Sequence, residues 1–179
     1  NTTGESNTAI GRDALKSNIT ANNNTAIGRD ALKSNTTGTS NVAVGTYTLD
    51  SITTASHNTA LGYIALEDCT SGSGNIAIGS HSQKNTTTGS QNTTVGNDAL
   101  GANTSGSNNI GIGFQAGDNL SSGSNVIVIG SAADASSSSV SNEITLGNSS
   151  IATLRCNVQT ISSLSDARDK TNVIDLPEG

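Results

Sequence analysis

A glycine returns every 17 residues along most of the chain, at Gly11, Gly28, Gly45, Gly62, Gly79, Gly96, Gly113, Gly130 and Gly147, with no slip in register. An aliphatic residue precedes each one: Ile10, Ile27, Val44, Leu61, Ile78, Val95, Ile112, Ile129 and Leu146. Four residues before the glycine stands an asparagine in the first seven copies, at Asn7, Asn24, Asn41, Asn58, Asn75, Asn92 and Asn109. Val126 and Glu143 then occupy that column, while Asn125 and Asn142 sit one position earlier. The consensus is N-x-A-I-G-x-x-A-L, followed by a polar stretch that often contains T-T-G or T-S-G. A fixed period marks a repeat architecture, in which each unit buries its apolar face only against its neighbours.

The length of the period selects the architecture. Seventeen residues are too few for a helical hairpin repeat, which needs about 34. The N-x-A-I-G segment alternates by two: Val42 and Val44, Ile76 and Ile78, or Ile110 and Ile112 fall on one side, and Ala43, Ala77 and Gly111 on the other. This is strand periodicity with β-branched enrichment. A second short strand is predicted at Ala14-Leu15, Ala31-Leu32, Ala65-Leu66 and Ala99-Leu100. Gly or Ala at Gly4, Ala21, Gly38, Ala55, Gly72, Gly89, Gly106 and Gly123 marks an intervening turn. The expected coil is two short strands and two turns. Stacked in parallel at about 4.8 Å, nine such coils make a rod of roughly 40 Å. The fold class is therefore all-β, a parallel β-roll or β-helix over residues 1–150, with handedness left open.

Composition bears on how such a rod is held together. Hydrophobic residues are 32% and aromatics 2% of the 179 residues, against roughly 45–50% apolar in ordinary soluble domains. Aliphatic columns are expected to form a thin core, the asparagines a hydrogen-bonded ladder, and the glycines points of close backbone approach. The Ala, Thr and Gly side of the strand is expected to be a flat face that packs against another chain. A homotrimer around the rod axis would supply the missing core.

Several classes are disfavoured. There is no run of 18 apolar residues, so no membrane-spanning helix is expected. NTTGESNTAI has neither a basic start nor an apolar core, so no signal peptide is expected. A net charge of −6 with eight scattered Lys and Arg argues against nucleic-acid binding. Cys69 and Cys156 lie about five coils apart, roughly 24 Å, beyond disulfide reach. No metal or cofactor is expected. His57 and His81 fall in different columns, and the column Asp13, Asp30, Tyr47, Ile64, His81, Asp98 is too interrupted for calcium. The Thr columns, such as Thr2, Thr36, Thr53, Thr70, Thr87 and Thr104, read as solvated turn residues rather than an ice-binding face. N-x-[ST] matches such as Asn18-Ile19-Thr20 follow from the composition.

The repeat N-x-A-I-G-x-x-A-L with its T-x-G turns resembles the β-roll repeats of trimeric autotransporter adhesin heads and the shaft repeats of phage and viral tail fibres. The adhesin repeat is somewhat shorter. The resemblance implies an intertwined homotrimer with a structural and adhesive role, whose partners are its own copies and a host cell-surface receptor of glycan or other type. It implies no nucleic-acid partner and no membrane insertion.

After Gly147 the period ends, and residues 151–164 read as a connector. Then comes Ser165-Asp166-Ala167-Arg168-Asp169-Lys170-Thr171-Asn172-Val173-Ile174. The pattern S-D-x-R-x-K-x-x-[IV] resembles the start of the intramolecular chaperone of endosialidases and tail fibres, the peptidase S74 type. The resemblance implies that residues 165–179 begin a chaperone that assembles the trimer and then cuts itself off at Leu164-Ser165. Ser165 would be the nucleophile and Lys170 the base, with Asp166 and Arg168 in supporting roles. A serine–lysine pair needs burial to lower the lysine pKa, which only a complete chaperone domain would provide. The leading expectation is a tail-fibre or tail-spike shaft in a virion. The alternative is the head of a bacterial trimeric adhesin at the cell surface. A glycan-cleaving enzyme is disfavoured, because residues 1–150 offer no evident carboxylate pair in a cleft.

Overall fold

The computed structural model describes residues 1–153 and residue 155. Among them the regular elements are nine short strands: β1 (Thr8–Ile10), β2 (Thr25–Ile27), β3 (Val42–Val44), β4 (Thr59–Leu61), β5 (Ile76–Ile78), β6 (Thr93–Val95), β7 (Ile110–Ile112), β8 (Val126–Ile129) and β9 (Glu143–Leu146). They form one parallel sheet in sequence order. Each residue pairs with its equivalent one period later, as in Thr8↔Thr25, Ala60↔Ala77 and Ile112↔Ile129. The chain is a parallel β-solenoid.

The β-branched residues flanking a central small residue favour the extended backbone of each strand. The recurrent glycine ends it. From Gly11 to Gly130 the glycine φ lies between 128° and 145°, a region closed to L side chains. A Cβ built on any of these period-17 glycines from Gly11 to Gly113 would lie 2.1–2.6 Å from the carbonyl oxygen of the equivalent glycine in the next coil. Three further corners per coil hold left-handed backbone. The fifth coil, for example, has them at Ile64, Leu66 and Gly74, with φ of 61°, 52° and 71°.

Two expectations need correction. The Ala-Leu segments are not strands. Residues 11–17 and their equivalents are continuous turns, and the second residue of each pair, Leu15, Leu32, Leu66 or Leu100, has φ near 50°. The turns are nonetheless paired from coil to coil. Leu32 N donates to Thr48 O at 3.1 Å, and Ser34 N to Asp50 O at 3.2 Å. The second correction concerns the faces. Ala26, Ala43, Ala60 and Ala77 are fully buried, while Ile10, Val42, Leu61, Ile76 and Ile78 are exposed. The small residues face inward because the lumen is narrow and Leu32, Leu49, Leu66 and Leu100 already occupy it. Gly111, which stands in the alanine column, shows the fit: a Cβ there would lie 3.0 Å from Leu100 Cγ.

The core divides in two. One cluster runs from Leu15 to Ala77, the other from Leu100 to Ala135. Between them Ser82, Gln83 and Thr94, all fully buried, replace the Ala, Leu and Ala of neighbouring coils. Gln83 Nε2 donates to Ile76 O and Thr94 Oγ1, both at 2.9 Å, while its Oε1 accepts no hydrogen bond.

The two kinds of glycine predict opposite outcomes. Gly62→Ala places a Cβ 2.4 Å from Gly79 O. It should lower stability by about 3 kcal/mol or more, a fall of roughly 6–12 °C in the melting midpoint followed by circular dichroism. Gly74 occupies a column that elsewhere holds Asn23, Asn108 and Asn125 at φ near 60°, and a Cβ there would lie 3.5 Å from Gln91 Cγ. Gly74→Asn should change stability by less than about 0.5 kcal/mol.

Candidate functional site

The asparagine column is built into the wall of the rod. Asn24, Asn41, Asn58, Asn75, Asn92 and Asn109 are all fully buried. Each side chain reaches the next coil twice. Asn58 Oδ1 accepts from Asn75 N at 2.9 Å, and Asn58 Nδ2 donates to Gly72 O at 2.9 Å. Asn7 begins the series, through Asn24 N and Ala21 O, and Asn109 ends it by accepting from Val126 N. A second column, Asn18, Asn35 and Asn103, closes turns within the coil, as Asn35 Nδ2 does on Gly38 O at 2.9 Å. These amides satisfy backbone groups that the narrow lumen keeps from water.

Outside the rod, three features carry chemistry. The first is the outward face of the sheet. It presents two columns, one from Thr8 to Ile144 and one from Ile10 to Leu146, of fourteen aliphatic residues and four threonines with no charge. The second is a corner that gathers the chain's three aromatic residues. The Arg29 guanidinium lies 4.6 Å over the Tyr47 ring, Tyr63 meets His81 edge-on at 5.4 Å, and Phe114 is half exposed. Ser80 Oγ lies 2.9 Å from His81 Nδ1. His57 is exposed.

The third feature is a surface dent of about 210 Å³, lined by Lys84, Asn85, Asp98, Gly101, Ala102, Gln115 and Asp118. Lys84 Nζ pairs with Asp98 Oδ1 at 2.9 Å, and Asn85 Nδ2 donates to Gly101 O at 2.7 Å. Burial, and next the neighbouring charge of Asp134 and a hydrogen bond with it, push the Asp118 carboxyl above its ordinary range. The sequence reading missed this grouping. The signal was present: Gly101 and Ala102 stand where other coils carry Lys16, Lys33, Asp50 or Glu67 followed by Ser or Asp, and the small pair leaves a gap. The dent is smaller than the roughly 300–1,000 Å³ of ordinary ligand pockets, and it is open.

At the N-terminal coils, buried Asp30 is ringed by Arg12, Arg29 and Lys33 at 3.5–3.7 Å. No cluster of His, Cys, Asp and Glu suited to a metal occurs among the described residues. Nor is any helix there long and apolar enough to cross a membrane. Cys69 is a free thiol inside the rod, its Sγ 3.4 Å from Gly72 O, and burial pushes its pKa up to about 11. Leu164, Ser165, Asp166, Arg168 and Lys170, the residues of the self-cleavage motif, lie outside the described residues, as does Cys156. No protein-family model, curated protein or solved structure matches the chain.

Two predictions follow from these contacts. Asn58→Ala strands Asn75 N inside the wall and leaves Gly72 O only the weak Cys69 thiol donor, and should cost about 2–4 kcal/mol in chemical denaturation. Asp134→Asn should raise the melting midpoint at pH 7, because it removes the neighbouring charge that, after burial, holds the Asp118 carboxyl above its ordinary range. The sign follows from the raised Asp118 carboxyl: its penalty exists above the folded pKa and vanishes as pH falls through it. The gain should therefore disappear near pH 3.

Proposed function

We propose that this chain is the shaft segment of a viral tail fibre or tail spike, a structural and adhesive rod presented in the virion, that matures by chaperone-assisted trimerisation and cleavage before Ser165. The observation that supports this reading best is the rod itself. Nine strands stack in one register over about eight turns, and the strands and turns are hydrogen-bonded from coil to coil. Such a body transmits position and force along its axis. Its dent beside Lys84 and Asp98 is too small and open to enclose a substrate. Its partners on this reading are two further copies of itself and a host cell-surface receptor.

The self-cleavage motif supplies the direction of maturation. Ser165 Oγ would attack the carbonyl carbon of Leu164 as Lys170 takes the hydroxyl proton; the Leu164–Ser165 amide bond would break as that proton passes to the Ser165 nitrogen, and water would hydrolyse the resulting ester to free the shaft ending at Leu164. Loss of the chaperone removes the route back to unfolded chains, so the stability of the fibre becomes a matter of unfolding rate.

The test is the intact mass of the protein expressed from a longer gene that includes the residues after Gly179, with Ser165→Ala alongside. Cleavage between Leu164 and Ser165 in the wild type, abolished in the variant, is the expected result. Wild type that stays whole beside a complete downstream domain would refute the dyad and move the adhesin-head reading to first place.

A further inference from the structure

The outward sheet face has the character of an interface rather than of a solvated surface. Leu61, Ile78, Val95, Ile112 and Ile129 are 37–47% exposed in five consecutive coils, and Ile10 and Leu146 in the same column are more exposed still. The adjacent column adds Val42, Ile76, Ile110, Ile127 and Ile144 among its four threonines. Together the fourteen aliphatic residues expose on the order of 1,000 Å², well above the few hundred usual for an apolar patch on a monomer and above the ~800 Å² per partner of a standard interface. The strip runs about 38 Å along the rod at strand spacing. Its residues are held in one plane by the sheet, so little side-chain or backbone freedom remains to be lost on contact.

We infer that copies of this chain meet through this face, side by side and in parallel, around an axis that runs along the rod. The inference rests on the oligomeric fibre proposed above and corrects which face carries the assembly: the small residues expected to do so are inside the coil. The occupant is a second copy because the strip matches itself. It carries no charge that would need a complementary partner, and its period equals that of any copy laid alongside. Direction follows from the threonines. Thr8, Thr25, Thr59 and Thr93 lie toward one end, whereas β7, β8 and β9 present only aliphatic residues. In parallel copies the fully apolar ends bury one another. In antiparallel copies Ile127 and Ile144 would cover the hydroxyls of Thr8 and Thr25, at the cost of desolvating groups without partners.

Cysteine crosslinking in the full chain tests this directly. Cys156→Ser gives a background in which the remaining thiol, Cys69, is buried and silent. In that background Ile78→Cys should form covalent dimers under mild oxidation, while the exposed turn variant Thr70→Cys should not. Mixing Ile10→Cys with Leu146→Cys should give no product joining the two. Ile112→Lys, a change on the outer surface, should convert the oligomer to monomers in sedimentation. Should that variant fail to fold, the crosslinks still decide. Crosslinking through Thr70→Cys instead of Ile78→Cys, a joined Ile10→Cys and Leu146→Cys product, or a parent chain that sediments as a monomer would each overturn the inference. The fibre reading is judged separately. Cleavage before Ser165 with crosslinks on another face would sink this interface alone, and crosslinks through Ile78→Cys without cleavage would sink the maturation step alone.

Discussion

Everything in this rod depends on hydrogen bonds that run along its axis from one coil to the next. A coil of 17 residues has too little apolar side-chain volume to exclude water by itself, and its turns satisfy only part of their backbone within the coil. The neighbouring coil supplies the partners: Thr25 N finds Asn41 O, Thr36 N finds Thr53 O, and the buried asparagines fill the position where strand and turn meet. Identical register is what makes this work. One inserted residue would move an asparagine away from its carbonyl and put a Cβ against a neighbouring backbone. That is why the glycine period runs through nine copies without a slip.

The period, the all-β class and the parallel stacking were legible because they are properties of spacing, and spacing is visible in a string of letters. Which side of the strand faces inward was not. Alternation separates Val42 and Val44 from Ala43 but says nothing about which set is enclosed. That depends on the width of the lumen, and the lumen is set by the leucines across it. The Ala-Leu pairs misled for a related reason. They read as an apolar pair between polar neighbours, whereas their leucines reach the core from a left-handed turn that sequence pattern gives no reason to expect. Substitutions within the columns then compensate one another. Gly117 replaces a core leucine, and Val128 replaces an alanine; a Cβ on Gly117 would lie 3.4 Å from Val128 Cγ2.

Function was legible only in part. The dent at Asp98 and Asp118 arises from the absence of side chains at Gly101 and Ala102, and a gap leaves no letter to notice. The apolar strip could be listed residue by residue, yet its exposure emerged only once the alanines proved to be inside. The self-cleavage motif is the reverse case, read from residue types and their order at Ser165 and Lys170, beyond the described part of the rod.

The polar interruption at Ser82, Gln83 and Thr94 bears on how such a rod would fail. In a stack whose coils touch only their neighbours, stability is a chain of local couplings, and the weakest coupling decides where the chain parts. Here the apolar core is divided in two, near the middle, by a buried amide with an idle oxygen. There the two halves of the rod are held by hydrogen bonds with least help from apolar packing, so this coil is the seam between two separately packed cores.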